Sequence, residues 1–403
     1  MLKRVEQIQF PDWVKIPVSM QHQFFELAAK EAQKTKSRLL EQKKRLEQLR
    51  ASLKFERVQE SDEWKNWRIA YVDGSDSPAI SERLGARFGT YAAGWNLYHG
   101  DELKSEKYFS GKMVDFETGD AEVTKKILDL LAAGLERNVA LECLEQESPD
   151  LVVVDGSFYG FGIRSRLVRY RRIGQGEFEY GSDLVDQLVG STSRVLGSGK
   201  AVAVVKRVTT AAIDGWVIKQ EGDDRNVLCA NDKRILSSLM AVGQVFSYTK
   251  TFGEAYAFNV LSRLASAYRR YVERLSVRDI DVILRNVRSE IEAGIRGNLG
   301  CAPEVVLATE RVYLRSDYPA PPMCIEVRAG TDVSKILAYL VATHNPATGL
   351  PLPLDMIDQN VGLPRAFTRE FVEEIEANLV RDSELDKFDV QSHFAHLNPQ
   401  KEE

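Results

Sequence analysis

Two short segments of the chain, IAYVDGS and LVVVDGS, each place an aspartate after four apolar residues and before Gly-Ser, at Asp73 and Asp155. An apolar run of that length ending in a turn pattern reads as a buried β-strand and its C-terminal edge. The strand would fix the carboxylate, and the glycine would let the backbone turn without crowding a ligand. One Asp-Gly after a strand is ordinary turn chemistry. The same pattern twice says more, because two carboxylates on neighbouring strands make an oxygen-rich site suited to Mg2+ or Mn2+. Two such ions, about 3.5–4 Å apart, activate water and stabilise the leaving oxygen in phosphodiester hydrolysis.

The elements around these residues must bring the two strands together. Residues from about Gln23 to Lys54 read as one long helix, with Phe25, Ala32, Leu39, Leu46 and Leu53 recurring every seventh position among Lys, Glu, Gln and Arg. The strand ending at Asp73 is followed by two β-rich stretches, Arg83 to Tyr98 and Lys107 to Phe116. A helix from about Ala121 to Gln146 precedes the strand ending at Asp155. A helix from about Ser182 to Leu196 and the apolar strand AVAVVKRV come next. Strand, hairpin strands, helix, strand, helix, strand is also the order of the RNase H-like fold: an α/β mixed sheet flanked by helices. In it the two aspartates lie side by side at the carboxyl edge. The expected organisation is an N-terminal helical segment (1–60), an RNase H-like domain (61–381) with a helical insertion at about 235–297, and a flexible polar tail (382–403).

Taken together, these motifs resemble the NurA nuclease family over most of the chain from Arg68 to about Val380. The resemblance rests on the two VDGS segments, the strand-borne Lys206 in VAVVKRV and NDKRILSSLMAVGQ around Asp232. It also rests on the strand pair with Tyr313 and Glu326, and on GLPLPLDMID near the C-terminus. It implies that a helix glutamate completes the metal site. Glu136 is favoured because it shares a helix stripe with the small residues Ala132 and Ala140, and Glu142 is the alternative. It also implies a role for Lys206 at the scissile phosphate, where a cation stabilises developing charge. The chain departs from the family in its last segment, where Leu350 and Asp358 stand in place of a tyrosine and a histidine. A carboxylate at Asp358 still suits a hard divalent ion.

The resemblance further implies Mn2+ or Mg2+ as a two-ion cofactor and 5′-to-3′ exonuclease and single-strand endonuclease activity on DNA, single-stranded and at duplex ends. It implies a homodimer and a hexameric HerA-type ATPase as partner in DNA end resection and repair. The segment LGSGKAV around Lys200 lacks the spacing of a phosphate loop, so energy would come from a partner. A rival reading is a non-catalytic DNA-end or helicase-binding subunit. An RNase on the same fold would differ only in contacts to the 2′-hydroxyl.

Composition bounds the rest. With 44% hydrophobic and 28% charged residues the chain reads as globular, and no apolar run reaches membrane-spanning length. The N-terminal segment has no apolar signal region, and the four cysteines are far apart without CxxC spacing. Both features suggest a cytoplasmic protein with reduced core thiols. A net charge of −5 requires any DNA contact to use a local basic surface. The best candidate is the helical stretch with Arg263, Arg269, Arg270, Arg274 and Arg278. There Tyr268 and Tyr271 would stack on bases, although nearby acids favour a solvated helix face.

Overall fold

The computed structural model describes residues 15–116, 120–253, 257–382 and 384–397. They divide into two units, Met1–Leu53 and Lys54–Glu403. In the first, α1 (Val18–Arg50) starts directly after Pro17, about a turn earlier than the heptad pattern suggests. Proline suits a helix start because its missing N–H has no partner there anyway.

The second unit contains strands β1 (Phe55–Arg57), β2 (Arg68–Asp76), β3 (Ser81–Glu82), β4 (Arg87–His99), β5 (Glu102–Asp115) and β6 (Leu151–Asp155). It continues with β7 (Arg172–Gln175), β8 (Phe178–Tyr180), β9 (Ala201–Val205), β10 (Gln244–Ser247), β11 (Thr309–Leu314) and β12 (Met323–Arg328). Its helices are α2 (Ala121–Glu147), α3 (Gly162–Val168), α4 (Gly181–Gly197), α5 (Ala212–Glu221), α6 (Asp232–Leu239), α7 (Tyr248–Phe252) and α8 (Phe258–Arg269). They are followed by α9 (Ile280–Leu299), α10 (Pro303–Leu307), α11 (Ser334–Ala342), α12 (Leu352–Val361), α13 (Phe367–Val380) and α14 (Lys387–Phe394).

One sheet of ten strands runs β1-β10-β11-β12-β9-β6-β2-β4-β3, with β5 pairing β4. The β2–β6 and β6–β9 pairs are parallel and the others antiparallel. This is the mixed, helix-flanked sheet the element order implies.

Side chains alternate across a strand, so each central strand feeds two cores. Ala70, Val72, Val152 and Val154 pack with Leu128, Leu131 and Leu188 of α2 and α4. On the other face Ile69, Tyr71, Leu151, Val153, Val202 and Val204 pack with Tyr339 and Leu340 of α11 and Leu354 and Ile357 of α12. Burial of each such side chain contributes about 1.5–3 kcal/mol, which holds the strands in register. The alternation then decides what lies beyond: Asp73, Asp155 and Lys206 all continue the face covered by α12.

The structure corrects several expectations. The first Asp-Gly-Ser is not a turn, because β2 runs on through Asp76. The two β-rich stretches form one long hairpin, β4 and β5, closed tightly at Gly100 (φ +61°). The supposed helical insertion holds a strand, β10, which pairs with β1 and β11. The polar tail contains α14, whose Val390 and Phe394 are buried with Phe88 and Val372. Arg83 Nη1 reaches the Phe394 carbonyl at 3.3 Å and His396 Nε2 at 2.6 Å. All four cysteines are free, but Cys229 is exposed rather than in the core.

Candidate metal centre

β2 and β6 are parallel and in register from Ile69↔Leu151 to Val72↔Val154, so Asp73 and Asp155 emerge side by side. Asp358 reaches them from α12, and one carboxylate oxygen from each of the three lies within 4.8 Å of the others. Asp73 is 4% exposed. Its Oδ1 accepts the Gly74 N–H at 2.7 Å, while its Oδ2 is buried without any partner. A buried carboxylate oxygen left without a partner costs about 1–3 kcal/mol or more. A divalent cation bound between the three aspartates would satisfy it, and the all-oxygen donor set fits Mn2+ or Mg2+.

Lys206 sits at the end of β9 and bridges two of the aspartates, 2.6 Å from Asp155 Oδ2 and 2.8 Å from Asp358 Oδ2. Its backbone is held in turn by Lys233, whose Nζ donates to the Lys206 carbonyl at 2.9 Å.

Glu136 projects from α2 towards the other side of β2. A Cβ on Gly74 would stand 3.0 Å from Glu136 Cβ, so the first Asp-Gly-Ser needs its glycine for helix approach rather than for a turn. Glu136 is buried and pairs with Arg137. Arg137 also donates to the Ser157 carbonyl at 3.2 Å, which links the pair to the second Asp-Gly-Ser. Glu142, the alternative, pairs instead with Lys107 on β5.

Electrostatics follow from this crowding. Burial, then Asp155 and Glu136, push the Asp73 carboxyl up to about 9. Burial pushes Glu136 up to about 7 despite Arg137, and raises Asp155 against the pull of Lys206. Lys206 is raised by Asp155 and Asp358 in spite of its own desolvation, so it stays charged.

The serines of the two motifs act as anchors, a role not visible in sequence. Ser75 Oγ donates to the Val361 carbonyl at the end of α12, which ties the helix carrying Asp358 to β2. Ser157 Oγ bonds both oxygens of Glu326 at 3.0 Å, and Glu326 also accepts the Phe158 N–H at 3.0 Å and pairs with Arg311 at 2.8 Å. In the second motif Gly156 adopts φ +84°, a conformation glycine tolerates at no cost, so here the turn expectation holds.

Other residues singled out in the sequence lie elsewhere. Asp232 is fully buried and accepts N–H bonds from Ala212 (2.8 Å) and Ile213 (3.0 Å) and the Tyr248 hydroxyl (2.5 Å), so it caps α5. Leu350 packs against the α11/α12 core and presents no polar group. His344 bonds the Val341 carbonyl and Asp317. Three arginines of the arginine-rich stretch are paired with acids, Arg263 and Arg270 to Glu290 and Arg269 to Asp224. Tyr268 and Tyr271 are buried with their hydroxyls bonded to Gly222 and Glu290, which rules out base stacking there. Among the described residues no helix is long and apolar enough to cross a membrane.

Sheet order and helix placement define an RNase H-like α/β fold, and the aspartate cluster at its strand ends could hold a divalent cation. A family model, the NurA domain, matches residues 17–254, and the chain belongs to the NurA family of nucleases. The crystal structure of the NurA nuclease from Sulfolobus solfataricus superposes with a TM-score of 0.57 at 12% identity, covering 92% of this chain and all (100%) of that one. That likeness shows the fold. A NurA structure bound to dAMP and manganese matches at 14% identity over 92% of this chain and 99% of its own, with a TM-score of 0.40. Endonuclease V from Bacillus subtilis matches at 13% identity over 82% and 91%, with a TM-score of 0.30. No curated protein matches.

Proposed function

We propose that the chain hydrolyses DNA phosphodiester bonds in a metal-dependent reaction at the aspartate cluster. The observation that carries this reading is the convergence of Asp73, Asp155 and Asp358 with the Asp73 Oδ2 left unpartnered. These three would hold Mn2+ or Mg2+ as a two-ion centre, with Glu136, which stands towards the other side of β2 and is engaged by Arg137, as a further ligand once released from that pair. Bound there, the ions would lower the pKa of water and neutralise charge on the phosphate. Lys206 keeps its proton and bridges Asp155 and Asp358, the position a cation takes among carboxylates. With those carboxylates otherwise engaged, its ammonium is free to bond a phosphate oxygen and offset charge developing there. Arg137 holds Glu136 and the Ser157 carbonyl together, so helix and strand contributions to the site move as one.

Family membership supports a finer reading: 5′-to-3′ exonuclease and single-strand endonuclease action, as a homodimer with a hexameric HerA-type ATPase. The chain lacks a phosphate loop of its own, which supports an external source of energy. The test is cleavage of end-labelled single-stranded and duplex DNA with Mn2+, Mg2+ or EDTA, beside Asp73→Asn. Metal-dependent degradation lost in the variant is expected, and the label position reports polarity. Binding without cleavage in either metal would instead leave a non-catalytic DNA-end subunit.

A further inference from the structure

The sheet register extends the row of aspartates to an aromatic residue, Tyr108. Asp73 pairs with Gly94 on β4, and Gly94 pairs with Tyr108 on β5. Residues directly opposite one another share a face of the sheet, so Tyr108 stands on the face of Asp73. Two strand spacings of about 4.8 Å put it on the order of 10 Å across. A Cβ on Gly94 would meet Tyr108 Cδ1 at 2.4 Å, so the ring lies over the glycine and leans towards the aspartates.

This ring is held in place yet open. Its hydroxyl lies 3.0 Å from Asn96 Oδ1 and 2.9 Å from Glu106 Oε2, and accepts from Asn360 Nδ2 at 2.8 Å. Asn360 is on α12, two residues past Asp358, so the helix that completes the site also fixes the ring. Tyr108 is 43% exposed, whereas Tyr71 and Tyr98 on the same face are buried at 0% and 3%. The Glu106 carboxylate beside the hydroxyl disfavours a phosphate at that atom. It leaves the ring face as the available contact.

We propose that Tyr108 is a substrate-binding residue, the platform on which the nucleobase next to the scissile phosphate stacks. Stacking on an aromatic ring needs a base free of its duplex neighbours, so Tyr108 gives the enzyme its preference for unpaired strands. This inference rests on the reading of the chain as a DNA nuclease.

The experiment uses the full chain and oligonucleotides with 2-aminopurine at the terminal positions. Binding is read by fluorescence in EDTA, and cleavage kinetics are read in Mn2+. Tyr108→Ala and the volume-keeping Tyr108→Leu are expected to lose the fluorescence quench and to weaken single-strand binding on the order of tenfold. KM for single strands should rise by a similar factor, with kcat within about twofold and duplex KM little changed. Tyr108→Phe should behave as wild type. If wild type cleaves DNA but Ala and Leu variants bind and quench as it does, this inference is overturned and the nuclease reading stands. If wild type neither binds nor cleaves DNA, the nuclease reading fails and takes this inference with it.

Discussion

At the scale of single residues, the site works because charges that repel one another are held together. Asp73, Asp155 and Asp358 converge at the sheet edge, where the buried Asp73 keeps one carboxylate oxygen without a partner while Asp358 is exposed. A carboxyl held at about 9 when folded, against an ordinary value near 4, binds its proton more tightly in the native state. Its contribution to stability is therefore present below the unfolded value and is lost as pH rises from about 4 towards 9. Two outcomes follow for the metal-free protein. Its Tm should fall as pH rises through that window, and Asp73→Asn should flatten the fall while raising Tm near pH 8 by a few degrees. Adding Mn2+ should raise the wild-type Tm more at pH 8 than at pH 6, because bound metal must displace protons. Differential scanning calorimetry at the two pH values checks both. A variant less stable than wild type at pH 8 would mean that the aspartates do not strain the fold.

Individual elements place these residues, and here the sequence was legible to different depths. The two apolar runs before Asp73 and Asp155 announced buried strands, and the element order put their carboxyl ends side by side. The preference for Glu136 over Glu142 rests on small residues of its stripe, and Gly74 does let α2 come close to β2 there, but Glu136 pairs with Arg137 and stands outside the three-aspartate cluster. What could not be read depends on partners distant in sequence. β10 is four residues long, too short for a pattern, and exists because β1 and β11 flank it. α14 looked like a polar tail because its two buried residues, Val390 and Phe394, are sparse among charges. The serines gave no sign in sequence of their partners, Val361 and Glu326, which lie far along the chain. Asp232 shows how such a hidden partner carries stability. Its carboxylate accepts three bonds that join α5, α6 and α7, whereas an amide offers a single acceptor oxygen. Asp232→Asn should therefore cost about 1–3 kcal/mol in urea unfolding, without moving the metal affinity of the folded protein. An unchanged midpoint would show that the network carries no stability.

Across the whole molecule, a negative chain with a NurA fold must meet a polyanion through local features. In the arginine-rich α8–α9 region, Arg263, Arg269 and Arg270 are engaged by Glu290 and Asp224. The proposed substrate surface therefore lies at the strand ends, where Lys206, the aspartate cluster and the Tyr108 ring face the same side of the sheet. The central claim is that this edge binds divalent ions through Asp73. The most direct measurement is a Mn2+ titration of wild type and Asp73→Asn followed by electron paramagnetic resonance, which counts bound ions without requiring turnover. Two ions per chain are expected at saturation for wild type, with at least one lost or weakened on the order of a hundredfold in the variant. Equal Mn2+ binding by the two proteins, or none by wild type, would contradict that claim.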